Sequence, residues 1–127
     1  NPLTHAILRG YLDTSGRSFP NYHYEDLHYI AKQYLDRGLE NPAIIVDTNH
    51  NNSDKQFSEQ PRIGLEVMRS RQSSDLIRDT VRGLMVESYL VEGSQSVEDG
   101  VFGKSITDPC LGWVDSERFV KDLAERA

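Results

Sequence analysis

The sequence predicts an α/β fold in which strands and helices alternate along a parallel sheet. Three observations support this fold class: short apolar runs recur, each run ends in polar residues, and helical periodicity appears between them. The apolar runs cover residues 5–9, 43–46 and 83–88. Successive strand–helix units of this kind give a sheet whose strands run in the same direction.

The first unit is a strand over 5–9, a loop over 10–22 and a helix over 24–37. The loop is rich in Gly, Ser, Asp, Pro and Asn. The helix is predicted from apolar residues at helical spacing, which are Leu27, Ile30, Ala31, Tyr34 and Leu35. Gly38 follows at the position where a left-handed residue commonly ends a helix.

The second unit combines a strand over 43–46 with a helix over 59–72. The strand is an unbroken apolar run, which is typical of a strand covered on both faces of a parallel sheet. The helix is predicted to bury Ile63, Val67 and Met68. Residues 73–80 either extend this helix or form a separate turn, and the pattern does not choose between the two.

The third unit begins with the strand over 83–88, which carries an acid, Glu87, near its end. A long Gly/Ser/Glu-rich loop over 92–104 follows. The last helix is predicted to begin at Ser116, a good N-cap residue that is followed by Glu117.

Composition places the chain among ordinary globular proteins. Its 127 residues are about the length of one domain, and a net charge of -6 argues against nucleic acid or a membrane surface as partner. The single cysteine fits a reducing compartment, and no apolar run approaches the roughly 20 residues of a membrane span. We therefore expect a soluble, cytoplasmic protein. Because the chain opens directly into an apolar run without Met, we also expect a piece of a longer protein.

Residues suited to chemistry follow the apolar runs, where parallel α/β folds place their sites. Arg9 ends the first run, Asp47 and His50 follow the second, Glu87 ends the third, and Asp108 comes in the next polar segment. One imidazole and two carboxylates, from His50, Glu87 and Asp108, make a plausible mixed site for Mn, Fe, Co or Zn. No local spacing motif joins them, so they would have to converge in space.

Each of these residues also has a structural explanation. Glu87 is either a strand-end acid that faces solvent or pairs in the core, or a metal ligand or catalytic acid. His50 is an ordinary loop residue unless it has a partner, and Asp108 precedes a proline, as turn residues often do. Arg9 with Gly10 suits phosphate binding, but a single dipeptide is a weak signal, and a surface salt bridge is the more common explanation.

Two further signals are set aside. Gly103-Lys104-Ser105 resembles the end of a nucleotide-binding P-loop, but that motif requires glycine at position 98, where this chain has Glu98. Cys110 lies two residues from Asp108 with a proline between them, so the two side chains cannot easily face one ion. We expect Cys110 to be a reduced, buried cysteine.

Five blocks of sequence resemble, in order, the C-terminal part of type I 3-deoxy-D-arabino-heptulosonate 7-phosphate (DAHP) synthases. The resemblance spans nearly the whole chain, and the last two blocks are highly specific. The blocks are Ala6-Ile7-Leu8-Arg9-Gly10, Pro20-Asn21-Tyr22, the run 47–56 from Asp47 to Gln56, the run 85–95 from Met85 to Gln95, and the run 103–113 from Gly103 to Trp113.

The resemblance implies a partial TIM (β/α)8 barrel, with residues 1–127 forming roughly its last three βα units and the N-terminal half of the barrel absent. It implies the condensation of phosphoenolpyruvate with erythrose 4-phosphate, the first step of the shikimate pathway to aromatic amino acids. His50, Glu87 and Asp108 match the family's metal ligands, and Arg9 matches an arginine that binds phosphoenolpyruvate. The family's fourth ligand is a cysteine from an early strand, so Cys110 is not that ligand.

This chain departs from the family at two points near the site. The family usually has a second glycine where this chain has Tyr11, and often has Phe-Ser where it has Thr48-Asn49. The loop over 97–103 also looks shorter than in some members. None of these changes removes a ligand.

We expect the isolated chain to be inactive, because the fourth ligand and most phosphate-binding residues are missing, and to form homo-oligomers through its open sheet edges. No catalytic residue is assigned beyond the metal ligands. The alternatives are a related metal-dependent aldolase that uses phosphoenolpyruvate and a non-catalytic binding domain.

Overall fold

A computed structural model describes residues 1–127 and contains seven strands and four α-helices. The strands are β1 (Ala6–Leu8), β2 (Tyr11–Leu12), β3 (Ser18–Phe19), β4 (Ile44–Asp47), β5 (Val81–Met85), β6 (Val91–Ser94) and β7 (Lys104–Ser105). The helices are α1 (Tyr24–Asp36), α2 (Gln60–Ser73), α3 (Asp75–Thr80) and α4 (Trp113–Ala124).

The central sheet has three parallel strands in the order β1-β4-β5. Ile7 pairs with Ile45 across β1 and β4, and Asp47 pairs with Met85 across β4 and β5. Each strand starts one of the three predicted units, so units that are adjacent in sequence are adjacent in the sheet. The predicted α/β class with a parallel sheet is therefore confirmed.

The hydrophobic core lies between this sheet and helices α1, α2 and α3. Its fully buried members include Leu27 and Ala31 of α1, Ile63 and Val67 of α2, and Ile44 of β4. The opposite face of the sheet is more open: Ile7 is 44% exposed, Met85 is 40% exposed, and Ile45 is half-buried. Within residues 43–46, Ala43, Ile44 and Val46 are buried and Ile45 is half-buried, so the strand is fully covered on its helix face and partly covered on the other.

The predicted helices over 24–37 and 59–72 are confirmed as α1 and α2. Gly38 has φ +62°, as expected of a left-handed residue after a helix. Residues 75–80 form a separate helix, α3, because Ser74 interrupts α2 with extended backbone and its hydroxyl accepts a hydrogen bond from the Ile77 N–H. This answers the question that the sequence left open.

Three local predictions are corrected. The segment 10–22 is not all loop, because β2 and β3 pair as a small antiparallel hairpin in which the Tyr11 and Phe19 rings stack at 5.4 Å. The segment 92–104 likewise contains ordered structure, including most of β6, and β6 pairs with β7. Helix α4 begins at Trp113 with Gly112 as N-cap, so Ser116 lies inside the first turn, where its hydroxyl donates to the Gly112 carbonyl at 2.8 Å.

None of these helices is both long enough and apolar enough to cross a membrane.

Candidate metal centre

Asn52 joins the carboxyl ends of β1 and β4. Its side-chain amide donates to the carbonyl of Leu8 at 3.0 Å and to that of Asp47 at 2.7 Å. Its Oδ1 accepts from the backbone N–H of Asn21 at 2.9 Å. Asn52 is itself buried, and its bonds hold the loops that follow both strands at one edge of the sheet.

His50 begins a single 3₁₀ turn at this edge and has φ +48°, in the left-handed region. A non-glycine residue there carries backbone strain of about 1–3 kcal/mol, which surrounding structure must offset. The neighbouring backbone supplies that support. The Lys55 N–H donates to the His50 carbonyl at 2.8 Å, and the Asn51 N–H donates to the Arg9 carbonyl at 3.1 Å.

Asp47 fixes the orientation of the His50 ring. One carboxylate oxygen, Oδ1, accepts from the Asn49 N–H at 2.9 Å, and the other, Oδ2, lies 2.7 Å from His50 Nδ1. An ionised carboxylate only accepts hydrogen bonds, so Nδ1 carries the proton that lies between them. In the neutral ring that metal binding requires, the lone pair is then on Nε2, which points away from Asp47 toward Glu87 and Asp108.

Glu87 is held through its backbone and its side chain. The Gln60 side-chain amide bonds both polar groups of the Glu87 backbone: Oε1 accepts from its N–H at 2.8 Å, and Nε2 donates to its carbonyl at 2.9 Å. The Glu87 carboxylate reaches His50, with Oε1 3.2 Å from Nε2. Its other oxygen, Oε2, accepts from the Asn49 side-chain amide at 2.8 Å.

Asp108 completes the cluster from the segment that follows β7. Its Oδ2 lies 3.6 Å from His50 Nε2, and its side chain is 43% exposed. One ligand atom each from His50, Glu87 and Asp108 lies within 4.8 Å of the others. Together with Asp47, three carboxylates surround one imidazole, which leaves an excess of negative charge that a divalent cation would offset. A His/Glu/Asp group of this kind can hold a metal.

Cys110 is not among the residues whose ligand atoms meet within that distance. Its thiol donates to the carbonyl of Asp108 at 3.4 Å. Burial raises the pKa of the thiol, and the nearby carboxylates of Glu87 and Asp108 raise it further, against a lowering effect of the Ser105 hydrogen bond. The group is half-buried and reduced, although less buried than the sequence suggested.

Arg9 lies on the same edge, and its exposed side chain takes part in none of the ion pairs of the chain. The surface salt bridge considered for it is absent. The next residue, Gly10, has φ +73°, and a Cβ there would lie 2.7 Å from the Asn51 carbonyl carbon. Glycine is therefore required for the Arg9 loop to pack against the His50 loop.

The structure brings together all three residues predicted from sequence as metal ligands; that they bind metal stays a prediction. Sequence reasoning placed Asp47 at a strand end but missed its bond to the imidazole, which its position three residues before His50 could have suggested. It also missed Asn49 and Gln60. Gln60 is fully buried at the start of a helix, and nothing in the local sequence marks it as a partner of Glu87.

The parallel sheet and the cluster at its carboxyl edge define an α/β protein with a candidate divalent-metal centre. The chain belongs to the DAHP synthetase I family, whose sequence model matches residues 1–121.

Similar proteins include two curated relatives. One is the Trp-sensitive phospho-2-dehydro-3-deoxyheptonate aldolase of Buchnera aphidicola subsp. Baizongia pistaciae, 42% identical over 98% of this chain and 34% of that protein. Another is the phospho-2-dehydro-3-deoxyheptonate aldolase of Haemophilus influenzae, 38% identical over 98% of this chain and 33% of that protein. The chain thus spans about a third of the length of these relatives.

A solved structure is also similar to this chain. The phospho-2-dehydro-3-deoxyheptonate aldolase from Francisella tularensis SCHU S4 superposes with a TM-score of 0.82 at 27% identity, covering 99% of this chain and 35% of that one. The likeness therefore extends over the whole described chain.

Proposed function

We propose that this chain forms part of a metal-dependent DAHP synthase, which condenses phosphoenolpyruvate with erythrose 4-phosphate to give DAHP and phosphate. The main support for the proposal is the geometry at His50. Its Nδ1 is bonded to Asp47, and its Nε2 faces Glu87 and Asp108 at 3.2 and 3.6 Å. Family membership supports the reaction, which is the first step of the shikimate pathway.

His50, Glu87 and Asp108 would hold a divalent ion of the Mn, Fe, Co or Zn type. Their donor set of one imidazole nitrogen and two carboxylate oxygens fits such ions, and the cluster needs positive charge. When bound, the ion supplies Lewis acidity that polarises the sugar aldehyde or orients water. In the proposed condensation, C3 of phosphoenolpyruvate attacks that aldehyde, water adds at C2, and phosphate leaves.

Arg9 would bind the phosphate of phosphoenolpyruvate. Its guanidinium is exposed and unpaired, so it can form two parallel hydrogen bonds with phosphate oxygens. Its backbone is bonded to the Asn51 N–H, one residue from His50. The proposed phosphate and metal positions are thus attached to the same edge of the sheet, which would orient the substrate.

The three strands would form the last part of a TIM barrel. Both outer sheet edges, on β1 and β5, lack a strand partner within the central sheet. The sheet face with Ile7 and Met85 is open, as the inner face of an incomplete barrel would be. We therefore expect the isolated chain to be inactive, and we retain self-association as a prediction, since exposed edges favour pairing with another copy.

Metal titration of the chain tests the site. We expect calorimetry to detect Mn²⁺ binding that is lost in His50→Ala and Glu87→Ala. A matched control is His28→Ala, because His28 lies on α1 away from the cluster and contacts only Tyr24 among aromatic rings. Binding that survives both site substitutions would contradict the proposal.

Activity tests the reaction. The chain is expressed alone and together with the remaining two thirds of a relative, and consumption of phosphoenolpyruvate is followed with erythrose 4-phosphate. We expect turnover only in the complemented sample, with loss in His50→Ala. Faster turnover with arabinose 5-phosphate would instead favour the related aldolase, and binding of metal and substrates without turnover would favour a binding domain.

A further inference from the structure

Asn49 is one of the most buried polar residues of the chain, and its amide lies between two segments that carry candidate ligands. Its Nδ2 donates to Glu87 Oε2 at 2.8 Å and lies 3.5 Å from the carbonyl oxygen of Pro109, next to Asp108. Only 1% of the residue is exposed. A donor placed between two segments that supply ligands can position both.

The orientation of this amide is determined by its neighbours. Nδ2 faces a carboxylate and a carbonyl, which can only accept hydrogen bonds. On the other side, Oδ1 accepts from the Ser53 hydroxyl at 2.7 Å. A flipped amide would place its oxygen against the Glu87 carboxylate, so Asn49 must donate to Glu87.

The consequence for Glu87 is that its two carboxylate oxygens have different environments. Oε2 accepts a hydrogen bond from the Asn49 amide, whereas Oε1 faces His50 Nε2 at 3.2 Å. The backbone of Glu87 cannot shift easily, because the buried Gln60 side chain bonds both its N–H and its carbonyl. Glu87 therefore presents Oε1 to an ion at the cluster, while Oε2 is bonded to Asn49.

We propose that Asn49 is a positioning residue that restricts Glu87 to one-oxygen coordination and thereby sets the ion preference of the site. The proposal rests on the proposed metal-binding function. Mn²⁺ is typically bound octahedrally by six ligands, whereas Ca²⁺ takes 6–8 oxygen ligands and commonly uses both oxygens of a carboxylate. The Asn49 side chain is long enough for its amide to reach Glu87 across the gap between the two loops.

The test compares Mn²⁺ and Ca²⁺ binding to the whole chain and to Asn49→Leu, which keeps the size of the side chain but removes its donor. Removing an outer-sphere partner of a ligand typically costs about 10- to 100-fold in metal affinity. We expect a loss of this size for Mn²⁺ and no loss for Ca²⁺, because the freed Oε2 becomes available to the larger ion. The visible absorption of bound Co²⁺ should also weaken, since its intensity falls as the coordination number rises.

Asn41→Leu is the matched control. Asn41 also donates one side-chain hydrogen bond, to the carbonyl of Thr4 at 3.2 Å, but it precedes β4 at the opposite end from the site. The Mn²⁺ and Ca²⁺ affinities of the Asn41→Leu variant should equal those of the unsubstituted chain. If Asn49→Leu does not melt cooperatively, Ser53→Ala replaces it, because it removes the 2.7 Å bond that anchors the Asn49 amide, together with a longer 3.3 Å bond from the same hydroxyl to the His50 carbonyl. A smaller change in the same direction is then expected.

The outcomes separate this inference from the proposed function. Equal losses for both ions, or an unchanged affinity ratio and Co²⁺ spectrum, would overturn the role of Asn49 while leaving the metal site intact. If the unsubstituted chain binds neither ion, or if His50→Ala binds them equally well, both the inference and the proposed metal site are wrong.

Discussion

Replacing Asp47 with Asn should move the ring proton of His50 from Nδ1 to Nε2. The shape of the site should not change. The Asn49 N–H needs an acceptor, so the oxygen of the new amide would remain on that N–H, where Asp47 Oδ1 now lies at 2.9 Å. The amide nitrogen would then face His50 Nδ1, currently 2.7 Å from Oδ2. Because this nitrogen only donates, Nδ1 must accept, and the ring proton moves to Nε2.

A protonated Nε2 has no lone pair for a metal. We expect Mn²⁺ affinity in Asp47→Asn to fall by about 10- to 100-fold, the usual effect of losing an outer-sphere partner. This fall corresponds to about 1.4–2.7 kcal/mol of binding free energy. Calorimetric titration of the metal-free chain measures the loss. Nitrogen–proton correlation spectra of the imidazole measure the tautomer independently of binding.

Asp13→Asn is the control for the loss of one negative charge. Asp13 Oδ1 also accepts backbone N–H groups, from Ser15 at 2.8 Å and Arg17 at 3.0 Å, but it lies in the β2–β3 turn. Its substitution should leave Mn²⁺ affinity unchanged. If Asp47→Asn retains both the original affinity and a proton on Nδ1, then Asp47 does not orient His50.

Three stability predictions follow from backbone and packing geometry, each measured by chemical denaturation. Gly16→Ala should lower the free energy of unfolding by about 1–2 kcal/mol, the penalty of a left-handed residue in open space. Gly10→Ala should lower it by about 1–3 kcal/mol more, because the added Cβ also overlaps the neighbouring loop. Equal losses would show that the loop can move aside. Gly64→Ala should lower the free energy of unfolding by about 1–3 kcal/mol, since its Cβ overlaps the buried Phe119 ring. The same substitution should have a smaller effect in a chain that already carries Phe119→Leu. Equal effects in the two backgrounds would contradict this contact. Ser74→Ala should cost about 1 kcal/mol through loss of the α3 N-cap, and no change would mean that this cap is not stabilising.

Family membership constrains interpretation of these experiments. The chain spans about a third of the length of its curated relatives, so metal binding by this chain and turnover by a full-length protein are separate questions. Differences in Mn²⁺ affinity between variants of this chain test the site, and turnover in the complemented sample tests the reaction.

The sequence by itself determined the fold class, two of the long helices and the polar residues at the strand ends. These features have local causes: helical periodicity predicts α1 and α2, and Gly38 supplies the left-handed residue after α1. One local signal, at Ser116, led to a wrong helix start. Ser116 has the chemistry of an N-cap, but hydrogen bonds of the 110–113 segment, including Trp113 N–H to the Leu90 carbonyl, start α4 three residues earlier than Ser116.

Only the tertiary structure decided how the site residues meet. His50 and Glu87 are 37 positions apart in the chain, and their approach depends on the parallel pairing of β4 with β5. Asn49 and Gln60 hold Glu87 through bonds that span 38 and 27 residues. No short-range pattern encodes such partners, because they are selected by which strand ends are adjacent and by the need to satisfy buried polar groups.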